Sequence, residues 1–211
     1  MFEEVFKVKS ILLAATFCVI SSQVASSKEK LSRSEKDAIL IFKEIILSDK
    51  DNYSRCTISD KWLIYQISAN TIRKFTKYPA DNNLSPPKHD KNPKDIIVGN
   101  NEAESLICSE KERADIKDNA LSVSTHTDNG TFKGHKIIAS IQTLLSKFSY
   151  PIFDKKYKIA FLVQDSSSRI WIKTDDNKYP SFGDGEVAVL IYKKKRGKWK
   201  LIGREIYATY S

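Results

Sequence analysis

The last third of the chain constrains the fold most, above all residues 185–207, GEVAVLIYKKKRGKWKLIGREIY. Val187, Val189 and Ile191 alternate with Ala188, Leu190 and Tyr192 at the period-2 spacing of a strand. A charged turn follows at Lys194-Lys195-Arg196-Gly197, and Trp199-Lys200-Leu201-Ile202 starts a return strand. The stretch reads as one long β-hairpin. Apolar residues occupy both parities of its first strand, so that strand is expected to be buried on both faces, inside a sheet.

A cover for that sheet is legible near the start. Ser32 with Glu35, or Ser34 with Asp37, has the spacing of a helix-capping box. Ala38, Ile41, Phe42, Ile45 and Ile46 then form one apolar stripe at helical spacing. Both signs of charge lie on the other face, which fits packing on a sheet better than lying on a membrane.

The middle of the chain gives shorter signals. Residues 62–67 and 71–78 read as two strands joined at Ser68-Ala69-Asn70, with a short helix at 61–67 as the alternative. Residues 79–93 hold four of the six prolines and read as a loop, functional or disordered, leaning to disordered. Residues 95–98 resemble a short strand. Residues 121–127 alternate like a strand, turn at Asp128-Asn129-Gly130 and begin to return at 131–133. Residues 136–148 have helical spacing at Ile137, Ile141, Leu144 and Leu145, with two short strands as the alternative. Residues 157–163 and 169–173 are strands separated by a loop at Ser166-Ser167-Ser168, and 175–178 and 180–185 are turns. The expected fold is α+β: an N-terminal amphipathic helix packed on a mostly antiparallel curved sheet that ends in a long C-terminal hairpin.

The first residues read as an export signal. Lys7 and Lys9 precede the apolar run 11–20, and small or polar residues fill 21–27. That run is shorter than the ~20 residues a spanning helix needs, so no stable membrane insertion is expected after cleavage. The organisation is a signal peptide at 1–26 and one α+β domain at 27–211. Residues 1–26 are neutral in sum, so the formal charge of +9 belongs to the remainder. Beyond Cys18 in the signal, Cys56 and Cys108 are expected to form a disulfide, as suits a periplasmic or secreted protein. The bridge would close a loop worth on the order of 4 kcal/mol in the chain-entropy picture.

Motifs of catalysis are missing: no G-x-S-x-G elbow, P-loop, H-E-x-x-H or C-x-x-C occurs. No catalytic residue, cofactor or metal is therefore assigned. Asp175-Asp176 and Asp184-Gly185-Glu186 lack the spacing of a calcium loop and suit turns. His126 and His135 flank the Asn129-Gly130 turn, but two ligands do not make a zinc site.

One cluster carries a functional expectation. Lys193, Lys194, Lys195, Arg196, Lys198, Lys200 and Arg204 lie on the closing hairpin. They read either as a solvated tip that prevents edge pairing or as an electrostatic surface for an acidic partner. Nucleic acid is a poor partner, because no stacking motif accompanies the charge.

Residues 149–154 (SYPIFD), 158–162 (KIAFL), 187–192 (VAVLIY) and 197–201 (GKWKL) together resemble a pattern in small exported bacterial proteins of unassigned function. Their last hairpin carries a G-K-W-K turn, and a similar closing hairpin recurs in NTF2-like and cystatin-like α+β domains. The resemblance covers about a third of the chain and implies a helix packed into a curved antiparallel sheet. The expected role is a non-catalytic binding protein, most concretely an inhibitor or immunity-type protein for an acidic toxin or hydrolase. The alternatives are an NTF2-like small-ligand-binding or enzymatic domain with a pocket between helix and sheet, and a binder of an anionic envelope polymer.

Overall fold

A computed structural model describes residues 31–48, 53, 55–76, 83–97, 105–123 and 130–211. The proposed signal segment and His126 lie outside them. In chain order the elements are α1 (Arg33–Ser48), β1 (Ile58–Ser59), α2 (Ala69–Phe75), α3 (Pro93–Ile97), β2 (Ile107–Cys108), α4 (Glu110–Val123), β3 (Thr131–Phe132), β4 (His135–Phe148), β5 (Ile152–Phe153), β6 (Ile159–Thr174), β7 (Ser181–Lys195) and β8 (Lys198–Tyr210). The molecule thus mixes helix with a larger share of strand, and the strands form one curled sheet in the order β2-β1-β4-β6-β7-β8. The pairs β4–β6, β6–β7 and β7–β8 are antiparallel, while β1 runs parallel to both β2 and β4. Register shifts at Ile137/Ala139, Val187/Ala188 and Ile191/Tyr192 mark bulges, which bend strands and help the sheet curl.

Helix α1 begins at the expected capping box. The Ser32 N–H donates to Glu35 Oε2 at 2.7 Å, and the Glu35 N–H donates to Ser32 Oγ at 3.2 Å. Its stripe buries Ile41, Phe42 and Ile45 against Phe148, Ala160, Leu162, Leu190, Tyr192 and Trp199. The opposite face of the same strands, Phe161, Val163, Val189 and Ile191, packs against Ile67 and Ile72, with Phe75 and Tyr207 at its margin. The first strand of the closing hairpin is therefore buried on both faces, as its double-parity apolar pattern requires. Cys56 and Cys108 form a disulfide that ties the segment before β1 to the end of β2.

Several expectations are corrected. Residues 71–75 belong to helix α2 rather than a strand, because Ser68 Oγ accepts the Thr71 N–H at 3.2 Å and caps it. Residues 62–67 form neither strand nor helix. Their backbone pairs at Leu63 with the Phe148 carbonyl and at Ile67 with Leu84, while Trp62 packs against Phe42 and Tyr150. The strand expected at 95–98 is helical through Ile97, capped reciprocally by Asn92 and Asp95. Residues 121–123 end helix α4 rather than begin a strand, and residues 124–129 lie outside the described residues. Thr131 and Phe132 instead pair with Lys136 and His135 around a turn at Lys133-Gly134.

The helix expected at 136–148 is strand β4, paired with β6 from Ile137↔Thr174 to Phe148↔Gln164. Its Ile137, Ile138, Ile141 and Thr143 are β-branched, and the sheet has a long partner for it. Ser166, Ser167 and Ser168 are not a loop. They lie in mid-strand, paired to β4 on one side and to Glu186, Gly185 and Asp184 of β7 on the other. The turn expected at 180–185 likewise belongs mostly to β7.

Candidate functional site: a basic hairpin tip and a basic cleft

The closing hairpin turns on Arg196 and Gly197, both at positive φ (49° and 79°). A two-residue turn with that backbone matches the twist of its flanking strands. Lys193 stands opposite Lys200, and Lys195 opposite Lys198. Residues directly opposite one another share a face, so four lysines crowd one side of the tip.

The other cations of this cluster are engaged. Lys194 pairs with Asp37 of α1, and the Trp199 indole N–H donates to the same Asp37 Oδ1 at 3.2 Å. The Lys194 ammonium also lies 5.4 Å from the centre of the Trp199 ring. Trp199 is 2% exposed, so its indole fixes the hairpin to the helix from inside. Arg204 pairs with Glu186 across the strands. Among the described residues, Lys193, Lys195, Arg196, Lys198 and Lys200 have no ion-pair partner and are exposed.

A second charged place lies elsewhere on the same sheet. A cleft of about 640 Å³ opens between α4 and one face of β4 and β6. Arg55, Arg113, Lys117, Lys147 and Arg169 line it, against Glu110 and Asp165, with Trp171, Ile116, Ile141 and Leu145 as apolar wall. Helix α4 is set there by its own capping box, Ser109 with Glu112, and by Arg113 donating to the Cys108 carbonyl beside the disulfide. The Ser109 N–H and hydroxyl hold the Glu112 carboxyl below its ordinary value. The indole of Trp171 donates to Thr143 Oγ1 at 3.1 Å, which fixes its plane. The Lys117 ammonium lies 4.6 Å, and the Arg169 guanidinium 5.8 Å, from the centre of that ring.

At the cleft's edge Tyr210 crosses β7. A Cβ at Gly185 would overlap the Tyr210 ring, so only glycine leaves room for the crossing. The Tyr210 hydroxyl donates to Asp165 Oδ1 at 2.5 Å, and burial together with that carboxylate pushes the phenol up to about 12.

The opposite face of these strands carries a groove of about 780 Å³ with a different chemistry. Ser146, Gln164, Ser166, Ser168 and Thr209 line it, and Asp184, Glu186 and Arg204 are its charged residues. The acidic residues singled out from the sequence are thus split. Asp184 and Glu186 border this groove. Asp175 and Asp176 meet His135, at 3.4 Å from Nδ1 and 3.6 Å from Nε2 respectively. Their donor atoms lie within 4.8 Å of one another, but the two ring nitrogens face different carboxylates. Lys178 holds Asp176 at 2.7 Å and, with the Thr174 hydroxyl, keeps its carboxyl at about 2. The arrangement is that of an ion-pair cluster.

The cleft residues escaped sequence reasoning because they come from widely separated places in the chain. Two signals were nevertheless present. Arg169 and Trp171 are two apart on a strand, and Arg113 and Lys117 are four apart on a helix. The first was readable from the strand expected at 169–173, and the second only once 110–123 is recognised as helix.

Among the described residues no helix is long and apolar enough to cross a membrane. No protein-family model, curated protein or solved structure matches the chain.

Proposed function

We propose that the protein is a non-catalytic binding protein acting outside the cytoplasm, and that its partner is an acidic protein, most concretely a toxin or hydrolase that it inhibits. The observation that carries this reading is the hairpin tip. Lys193 faces Lys200 and Lys195 faces Lys198, beside Arg196, with no carboxylate paired to any of them among the described residues. Like charges directly opposite on neighbouring strands are unfavourable. The Trp199–Asp37–Lys194 contact holds the hairpin in place behind them. An acidic partner would convert that repulsion into attraction and gain a fast, steered encounter. The Cys56–Cys108 disulfide supports an oxidising compartment.

The test is affinity capture. The oxidised chain is immobilised, exposed to envelope and secreted extracts at two salt concentrations, and bound proteins are identified by mass spectrometry. The expected result is one stoichiometric acidic protein that survives moderate salt and is lost from a Lys195→Glu/Arg196→Glu variant. Failure to retain any protein at low salt, or a partner indifferent to the charge reversal, overturns the reading.

A second reading, a domain that holds a small ligand, is supported by the cleft of about 640 Å³, a volume within the usual range of ligand sites.

A further inference from the structure

We propose that the cleft between α4 and the β4–β6 face binds a small organic anion, one carboxylate, phosphate or sulfonate group carried on a flat apolar body. This rests on the ligand-holding reading and is independent of the hairpin tip. Three observations converge on that chemistry. Basic side chains outnumber acidic ones in the lining, and Arg113, Lys117, Lys147 and Arg169 come from three different elements onto one space. Asp165, the carboxylate on the sheet side that would oppose an anion, has one oxygen engaged by the Tyr210 hydroxyl.

The third observation is Trp171. It gives the cleft a flat apolar wall whose plane is fixed by the bond to Thr143. The Lys117 and Arg169 cations already lie near that ring. Lys117 also pairs with Asp118 at 3.0 Å. A planar body against the indole therefore requires the ammonium to swing off the ring face, where it and Arg169 are placed to meet the ligand's charged group. Charged hydrogen bonds in a partly enclosed site are stronger than those on an open surface. The groove on the other side of the same strands has no such excess of cations, so the sheet itself distinguishes its two faces.

The full-length oxidised chain is titrated with anilinonaphthalene sulfonate, an anionic aromatic probe, and with its uncharged counterpart phenylnaphthylamine, by fluorescence. The expected result is one saturable site for the sulfonate. A Lys117→Ala/Arg169→Ala variant should weaken it by about tenfold or more, the loss expected for contacts to charged groups. The same variant should change binding of the uncharged probe by less than about twofold, whereas Trp171→Leu should weaken both probes. A Lys147→Gln variant serves the same purpose should the double variant lose its cooperative urea transition. Equal affinity for the two probes, no saturable site, or a sulfonate affinity unmoved by these variants overturns the proposal. Lys195→Glu/Arg196→Glu separates the two readings. It should leave probe binding unchanged while abolishing protein capture, and loss of the probe would place the anion at the tip and refute the cleft.

Discussion

From residue 159 to 163 strand β6 carries no polar side chain, and from 164 to 169 it carries no apolar one. Strand β7 beside it makes the same change in the other direction, with Phe182 the exception: SFGDGE, then VAVLIY. Hydrogen-bonded pairing continues without interruption across the boundary. Cover changes instead. The apolar half lies between α1 on one face and α2 on the other, whereas the polar half is bordered by two open clefts. A strand needs only partners for its backbone, so sheet structure continues where the core stops. The covered half supplies the stability, and the uncovered half is free to carry chemistry.

The largest effect should come from the covered half. Phe42→Ala removes a ring 1% exposed at the centre of the α1 contact and should cost about 3–5 kcal/mol by urea denaturation. Ser166→Ala, in the uncovered half, should stay within about 0.5 kcal/mol. Comparable losses at both positions would break the comparison.

Next comes the disulfide, which holds the β1–β2 edge. Replacing Cys56 and Cys108 by alanine should cost about 2–4 kcal/mol, read by the same denaturation. Probe affinity in the cleft should fall as well, because Cys56 lines it and Arg113 bonds to the Cys108 carbonyl. An unchanged affinity would show that the cleft is set by β4 and β6 alone.

The smallest effect is expected at Glu35, at the entrance to α1. The Lys91 ammonium, at 2.9 Å, and the Ser32 N–H and hydroxyl hold its carboxyl down to about 2. Its folded pKa is depressed, so its stabilisation is complete above the unfolded value of about 4.3 and is lost as pH falls toward about 2. Glu35→Gln should therefore lower the urea midpoint above that window and flatten its decline through it. Parallel acid limbs for the two proteins would show that the pair contributes nothing to the covered half.

What the sequence made legible follows the same division. Double-parity apolar runs and the 38–46 stripe are signatures of burial, and the closing hairpin and α1 were readable from them. Two elements with little burial were misread. Ser166-Ser167-Ser168 resembles a loop because serine is common in loops, yet here it needs only neighbours on both sides. Helix α4 buries Leu121 alone, so its periodicity is faint. A better signal was at its start: Ser109 with Glu112 has the same capping spacing as Ser32 with Glu35. Asn92 with Asp95 and Ser68 with Thr71 announce α3 and α2 in the same way. For weakly amphipathic helices the cap is more informative than the stripe. The cleft was illegible for a further reason, since its residues become neighbours only once α4 and β4 are both correctly assigned.

The bond between Asp37 and Trp199 joins residues 162 apart in sequence. Helix α1 is made first, and most of the sheet it packs on, Ala160, Leu162, Leu190, Tyr192 and Trp199, is made last. A chain emerging from the ribosome therefore lacks part of the cover for its apolar stripe until residue 199 has appeared. Contacts of such long range delay folding, because the closure entropy is spent before the packing is gained. The core around α1 is therefore completed only when the closing hairpin has been made.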